Sequence, residues 1–317
     1  MAEWLYEAGI GESRAALVEH GRILKARIEL PGLRAGMIAD GRLRADNRVE
    51  LDQGDEVLLD RAPPGVTQGG RLRVEIVREV IPEPGRAKLA KAVVSDLSPA
   101  PGPDLAARIA ASGLPVRLQR PHEADALEAV GWSEVLEEAR TGEIAFPGGA
   151  LRMAVTPAMT IFDVDGSGPL DALSLAAARA VCAAMERHGV TGSVGIDFPT
   201  MTNKAARQAV ADAIDAHLPQ PFERTAVNGF GFLQIIRKRT RASLPELLLG
   251  DPVGADARAE LRRMERLSPP LPATHMVSEA VRRRIAAHPD WTRDLARRIG
   301  GDVALASGSG ERGASRL

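Results

Sequence analysis

Two apolar runs, each ending in aspartate, constrain this chain more than any other feature. The first is Ala158-Met-Thr-Ile-Phe-Asp-Val-Asp-Gly166, where Asp163 and Asp165 stand two apart at the end of a strand-like segment. Side chains alternate faces along a strand, so both carboxyls are predicted to point the same way. The second is Ser193-Val-Gly-Ile-Asp-Phe198, which delivers Asp197. Between them, Ala172 to His188 reads as a helix. Strand, helix and strand in this order predict a parallel pair. Its C-terminal ends bring three carboxylates to one sheet edge, where α/β sites usually sit. Clustered carboxylates repel and lose solvation, and a divalent cation relieves both penalties. Oxygen ligands without His or Cys favour Mg²⁺, with Mn²⁺ as a substitute, over Zn²⁺. An aspartate at a strand end also serves as a turn former or helix cap, so spacing alone leaves both readings open.

Basic groups follow the third aspartate. Lys204 and Arg207 lie in the first turns of a helix spanning Asn203 to His217, where free amides and the helix dipole attract anions. Arg237-Lys-Arg-Thr-Arg241 directly continues the strand Gly231 to Ile236. A charge run is ordinarily a solvated surface. Behind a buried strand in an acidic domain, Arg237, Lys238, Arg239 and Arg241 read better as a clamp on a phosphate backbone. The net charge of -1 adds nothing to that case, so local clustering has to carry it. Aromatic content of 3% argues against binding built mainly on stacking platforms.

The flanking sequence predicts further units. Residues 3 to 30 read as strands around a His20-Gly21 hairpin turn, and residues 36 to 95 as short strands of a small barrel or sheet. Beyond the linker Ser98 to Pro103, helix and strand alternate, which predicts an α/β (α+β mixed) layer structure. Residues 242 to 300 look mostly helical and basic, with a break at Pro269-Pro-Leu-Pro272, and the tail from Ser307 is low in complexity. One cysteine, Cys182, excludes an internal disulfide and a Cys-based zinc knuckle, and its helical setting predicts burial. The six histidines show no metal-ligand spacing and are expected in surface or capping roles. No apolar run reaches the ~18 to 20 residues of a membrane span, and the N-terminus lacks a signal-peptide core, so a cytoplasmic protein is expected.

Phe146-Pro-Gly-Gly-Ala-Leu-Arg-Met-Ala-Val-Thr-Pro-Ala-Met-Thr-Ile-Phe-Asp-Val-Asp165 resembles a run found in the ribonuclease E/G family: a Pro-x-Gly-Gly hairpin and a strand ending in Asp-x-Asn. Val194-Gly-Ile-Asp-Phe-Pro-Thr-Met201 is similar to that family's Ile-Asp-Phe-x-x-Met motif. Gly229-Phe-Gly-Phe-Leu-Gln-Ile-Ile-Arg-Lys-Arg239 resembles the strand that closes its catalytic subdomain. Glu12 to Arg22 is similar, more loosely, to its opening hairpin. The resemblance implies a metal-dependent endoribonuclease of single-stranded RNA, with Asp163 and Asp197 on Mg²⁺ and Asp165 in support. It also implies an RNase H-like subdomain from 1–35 with 104–145, a small β domain at 36–95 in the place of an S1-type RNA-binding barrel, and a deoxyribonuclease I-like catalytic subdomain at 146–245. A basic helical region at 246–300 and a disordered tail at 301–317 would complete the chain.

The sequence also departs from that pattern. Asp165 stands where the family has a neutral Asn, the 36–95 segment lacks an aromatic surface, and the insertion expected for a 5′-phosphate sensor is missing. No zinc-link cysteines follow Leu249, so no structural zinc is expected, and any homodimer would not be zinc-linked. These departures support an alternative: a catalytically weak or inactive RNA- or ribosome-associated binding protein of the same fold.

Overall fold

The computed structural model describes residues 1–61, 63–267, 272 and 274–307. Three strands open the chain: β1 (Glu3–Ala8), β2 (Ser13–Glu19) and β3 (Arg22–Glu29). His20 and Gly21 turn β2 into β3 with φ of 49° and 71°, the positive pair that matches the twist of a tight hairpin. The chain then leaves for a closed barrel of β4 (Ile38–Leu43), β5 (Arg48–Leu51), β6 (Glu56–Leu59), β7 (Arg71–Arg78) and β8 (Ala90–Val94). The barrel closes in the order β4-β5-β6-β8-β7, and only β6 and β8 run parallel. Val49, Val57, Val74, Ile76 and Ala90 fill it, each fully buried. Outside, five of its cations are paired with carboxylates: Arg44 with Glu50, Arg48 with Glu56, Arg71 with Asp52, Arg73 with Asp40 and Lys91 with Asp60.

After the barrel the chain returns to the first sheet. Helix α1 (Leu105–Ala110) lays Leu105 and Ile109 on Trp4, Ala15 and Leu17. Strand β9 (Val116–Leu118) joins beside β1 in parallel, giving the order β3-β2-β1-β9. Helix α2 (Trp132–Thr141) covers the other face, packing Trp132, Val135 and Ala139 with Leu5, Ala16 and Val18. Residues 3–29 and 105–141 thus share one sheet and its helices around the barrel insertion, whereas residues 143–145, expected with them, belong to β10 of the second sheet.

The second sheet contains β10 (Glu143–Phe146), β11 (Gly149–Val155) and β12 (Thr160–Gly166). Then follow α3 (Leu170–His188), β13 (Gly192–Asp197), α4 (Lys204–His217), β14 (Glu223–Arg224) and β15 (Phe232–Arg237). The strand order is β10-β11-β12-β13-β15-β14, with β12 and β13 its parallel pair. Phe162, Val194, Ile196, Leu233 and Ile235 are fully buried and pack with Val181 and Met185 of α3 and Val210 and Ile214 of α4. Each such side chain contributes about 1.5–3 kcal/mol of burial free energy. On the opposite face Ala145, Arg152, Ala154, Asp163 and Asp197 are exposed, so this face of the sheet is open.

The C-terminal region is α5 (Leu244–Gly250), α6 (Pro252–Glu265), β16 (Thr274–Val277), α7 (Glu279–Ala286), α8 (Pro289–Ile299) and β17 (Ala304–Ser307). Residues 242–300 are mostly helical as expected, with β16 as an addition that pairs in parallel with β17. The disordered tail expected from 301 is replaced by β17 at 304–307, and residues 308–317 lie outside the described residues. Most of the Pro269–Pro272 break lies outside them too. Four-residue strands carry too little alternation to stand out without their partner.

Cys182 is buried in α3 as expected. The surface expectation fails for two histidines: His188 and His275 are both buried. Among the described residues no helix is long and apolar enough to cross a membrane.

Candidate metal centre on an open sheet face

Strand register assembles the site. Glu143 of β10 lies opposite Arg152 of β11, Arg152 opposite Asp163 of β12, Asp163 opposite Asp197 of β13, and Asp197 opposite Phe232 of β15. These five residues form one transverse row, and residues directly opposite one another share a face. Neighbouring strands stand ~4.8 Å apart, so the Asp163 and Asp197 carboxylates emerge side by side. Phe162, Val164 and Ile196 are buried on the helical face, which forces the intervening aspartates outward.

Asp163 and Asp197 are exposed, and neither carboxylate has a hydrogen-bond or ion-pair partner among the described residues. Asp165 shares their face one pleat further along, but it is turned toward β11. Arg152 contacts it at 3.3 Å and contacts Glu143 at 3.4 Å. The three carboxylates are therefore a pair plus a partnered neighbour. Among the described residues no group of three or more His, Cys, Asp or Glu could hold a metal ion.

The connections after β12 and β13 both deliver helix N-termini to this edge. Phe198 and Met201 are buried and anchor the chain just beyond Asp197. Asn203 then caps α4 by accepting from the Ala206 amide at 2.9 Å. Thr202 donates to Asp171 in the first turn of α3 from both its amide and its hydroxyl, at 3.2 and 2.8 Å. Lys204 and Arg207 begin α4, and neither side chain has an ion-pair partner among the described residues. Both lie on the helix that follows Asp197 in the chain.

The second basic group lies elsewhere. Strand β15 is antiparallel to β13, so Arg237 pairs with Gly192, at the end of β13 opposite Asp197. Five residues of strand at ~3.3 Å each put it ~17 Å from the carboxylates. Its arginines are also engaged: Arg237 with Glu186, Arg239 with Glu246 and Arg241 with Glu79. Lys238 is exposed and unpaired among the described residues. Strand direction therefore sets Arg237, Lys238, Arg239 and Arg241 apart from the acidic pair.

Three residues that sequence reasoning passed over belong to the site. Arg152 sits between Glu143 and Asp165. Phe232 lies across Gly195, where an added Cβ would stand 2.8 Å from its ring. Phe230 is 85% exposed at the tip of the loop before β15. Within that loop Asn228 Oδ1 accepts from the amides of Phe230 and Phe232 at 2.9 and 3.0 Å. Gly231 has φ +97°, and a Cβ there would stand 2.1 Å from the Phe198 carbonyl oxygen. Phe198 in turn donates its amide to Gly231 at 3.2 Å, tying the loop to the residue after Asp197. The available signal was the Phe-Gly-Phe triplet beside a strand end, in a chain with six phenylalanines.

No protein-family model and no curated protein sequence matches the chain.

Proposed function

We propose that this protein is a metal-dependent endoribonuclease of the ribonuclease E/G type, acting on single-stranded RNA, with Asp163 and Asp197 holding Mg²⁺ or Mn²⁺. One observation carries the reading: the two carboxylates stand in register on adjacent parallel strands, exposed and without an ion-pair partner among the described residues. Mg²⁺ is commonly held by one or two carboxylates, water and substrate phosphate, so two ligands suit it. Bound there, the ion would supply Lewis acidity and a lowered water pKa for phosphodiester hydrolysis. The chain's own residues do the rest. Asp163 and Asp197 fix the reacting edge, and Lys204 and Arg207 at the α4 N-terminus attract and orient phosphates. Phe230 and Phe232 offer ring faces on which unpaired bases stack.

Topology supports the reading at fold level. The order β3-β2-β1-β9, with β9 parallel to β1, suits an RNase H-like subdomain, and the barrel order suits an OB-type barrel in the S1 position. The Asp165 departure also has a physical answer. Its extra charge faces Arg152, so the pair stands in for a neutral Asn. Both side chains are over half exposed, so this compensation is modest.

A second reading, an RNA- or ribosome-associated binding protein without turnover, draws on the barrel. Residues 36–95 hold no aromatic side chain, and the barrel's surface cations are largely paired with carboxylates. Cleavage of a fluorescent single-stranded RNA with Mg²⁺, Mn²⁺ or EDTA separates the two. The enzyme reading expects cleavage that EDTA and Asp197→Asn both abolish. RNA binding without metal-dependent cleavage would favour the second.

A further inference from the structure

The basic run that does not reach the acidic pair ends at a different feature. A cavity of about 260 Å³ lies between β3, the last turn of α3 and the chain beyond β15. Five cations line it: Lys25, Arg27, Arg108, Arg237 and Arg241. Their carboxylate partners number fewer. Glu186 is shared by Lys25 at 3.0 Å and Arg237 at 2.7 Å, Glu29 binds Arg108 at 2.6 Å, and Glu79 lies 3.0 Å from Arg241. Glu29 is shared again, with Arg34 at 3.2 Å.

Arg27 has no carboxylate partner among the described residues. Its Nη1 donates only to backbone carbonyls, of Ala26 at 2.8 Å, Glu186 at 3.1 Å and Arg187 at 3.2 Å. Burial, and then repulsion from Arg237, Arg241 and Arg108, outweigh the pull of Glu186 and push this guanidinium down to about 10. His188 is fully buried at the wall with Nδ1 unpartnered, its Nε2 being 3.1 Å from Glu138, while Arg241 Nε makes no well-aligned hydrogen bond but stands against Glu79. Five cations set against three carboxylates leave positive charge uncompensated, and a bound anion would offset it.

We propose that this cavity is a binding site for a phosphoryl anion, with Arg27 as its principal donor. A guanidinium is a fork of five N–H groups suited to tetrahedral oxyanions. The site is separate from Asp163 and Asp197, since Arg237 occupies the opposite end of β13. It does not depend on nuclease activity.

Isothermal titration of the full chain with inorganic phosphate, in phosphate-free buffer at fixed ionic strength, tests it. A parallel titration with a nucleoside monophosphate distinguishes a free anion from a phosphate ester. The expected result is one saturable site for inorganic phosphate. Binding should be lost in Arg27→Met and unchanged in the double variant Lys204→Ala/Arg207→Ala, which removes the free cations near the acidic pair. Should Arg27→Met fail to fold, Lys25→Ala serves, because Lys25 is 36% exposed, and about fivefold weaker binding is expected. The proposal is overturned if wild type shows no saturable phosphate binding. It is equally overturned if folded Arg27→Met, or Lys25→Ala in its place, binds as wild type, or if the double variant abolishes binding.

Discussion

Asp163 and Asp197 are the residues on which the functional reading turns, and their exposure makes them clean to test. Either change to Asn removes a charge without disturbing the core, so stability should stay within about 0.5 kcal/mol of wild type in urea unfolding. The cleavage rate should fall about 10³-fold, corresponding to roughly 4 kcal/mol of lost charge stabilisation. Asp165→Asn should behave differently. Its partner Arg152 is an exposed pair worth at most ~1 kcal/mol, so a rate within about fivefold of wild type is expected. A collapse as deep as that of Asp197→Asn would make Asp165 a ligand in its own right. Phe230→Ala tests the aromatic contribution: one stacked base contributes ~1–3 kcal/mol, so KM should rise about tenfold or more with kcat little changed. The acidic pair was legible in the sequence because alternation places i and i+2 on one face and a βαβ order makes strands parallel. Arg152 and Phe232 were not, because their places in the row depend on antiparallel register, which no local pattern encodes.

Elements are joined here by buried charge as much as by apolar contact. Glu7 at the end of β1 is buried and binds Arg14 of β2, and Arg262 and Arg266 at the end of α6. Arg258 of α6 reaches Glu12 at 2.7 Å, which also holds Arg14 at 2.7 Å. Burial alone would push the Glu7 carboxyl up, but the hydrogen bond from Arg262 and the charges of Arg14 and Arg262 hold it below its ordinary value of 4.5. Glu7→Gln would leave three guanidiniums short of their shared anion, at a cost of about 3–5 kcal/mol in urea unfolding. A loss under 1 kcal/mol would show that the network is not a structural tie. Direction was the element-scale feature the sequence hid. The run Arg237 to Arg241 continues a strand whose position was expected correctly, yet β15 runs against β13 and carries its basic end away from Asp197. The strands β16 and β17 were hidden for a related reason, since each is defined by the other.

Across the whole molecule, partly buried ion pairs set the response to pH. Glu7, Asp125, Glu186 and Asp251 are all held below their ordinary values by basic partners that outweigh burial, arginines in each case and Lys25 as well beside Glu186. A depressed folded-state value stabilises above the unfolded value and is lost as pH falls through the folded one, so unfolding free energy should drop steadily below about pH 4.5. Glu265 opposes this trend, because burial, relieved only in part by Arg298, raises its carboxyl. Its contribution is present in acid and fades as pH rises past its folded value, so Glu265→Gln should stabilise the protein at pH 7. A urea-unfolding series from pH 7 to pH 3 on wild type and Glu265→Gln checks both signs. The architecture as a whole, a split first unit around a barrel followed by a six-stranded sheet, places the barrel's neutralised surface and the open acidic face on one chain. The most direct measurement is single-stranded RNA cleavage by wild type and Asp197→Asn with Mg²⁺ and with EDTA. Metal-dependent cleavage by wild type that the variant loses, with RNA binding intact, is the expected result. RNA binding without cleavage in any metal, or cleavage that survives both EDTA and the substitution, would contradict it.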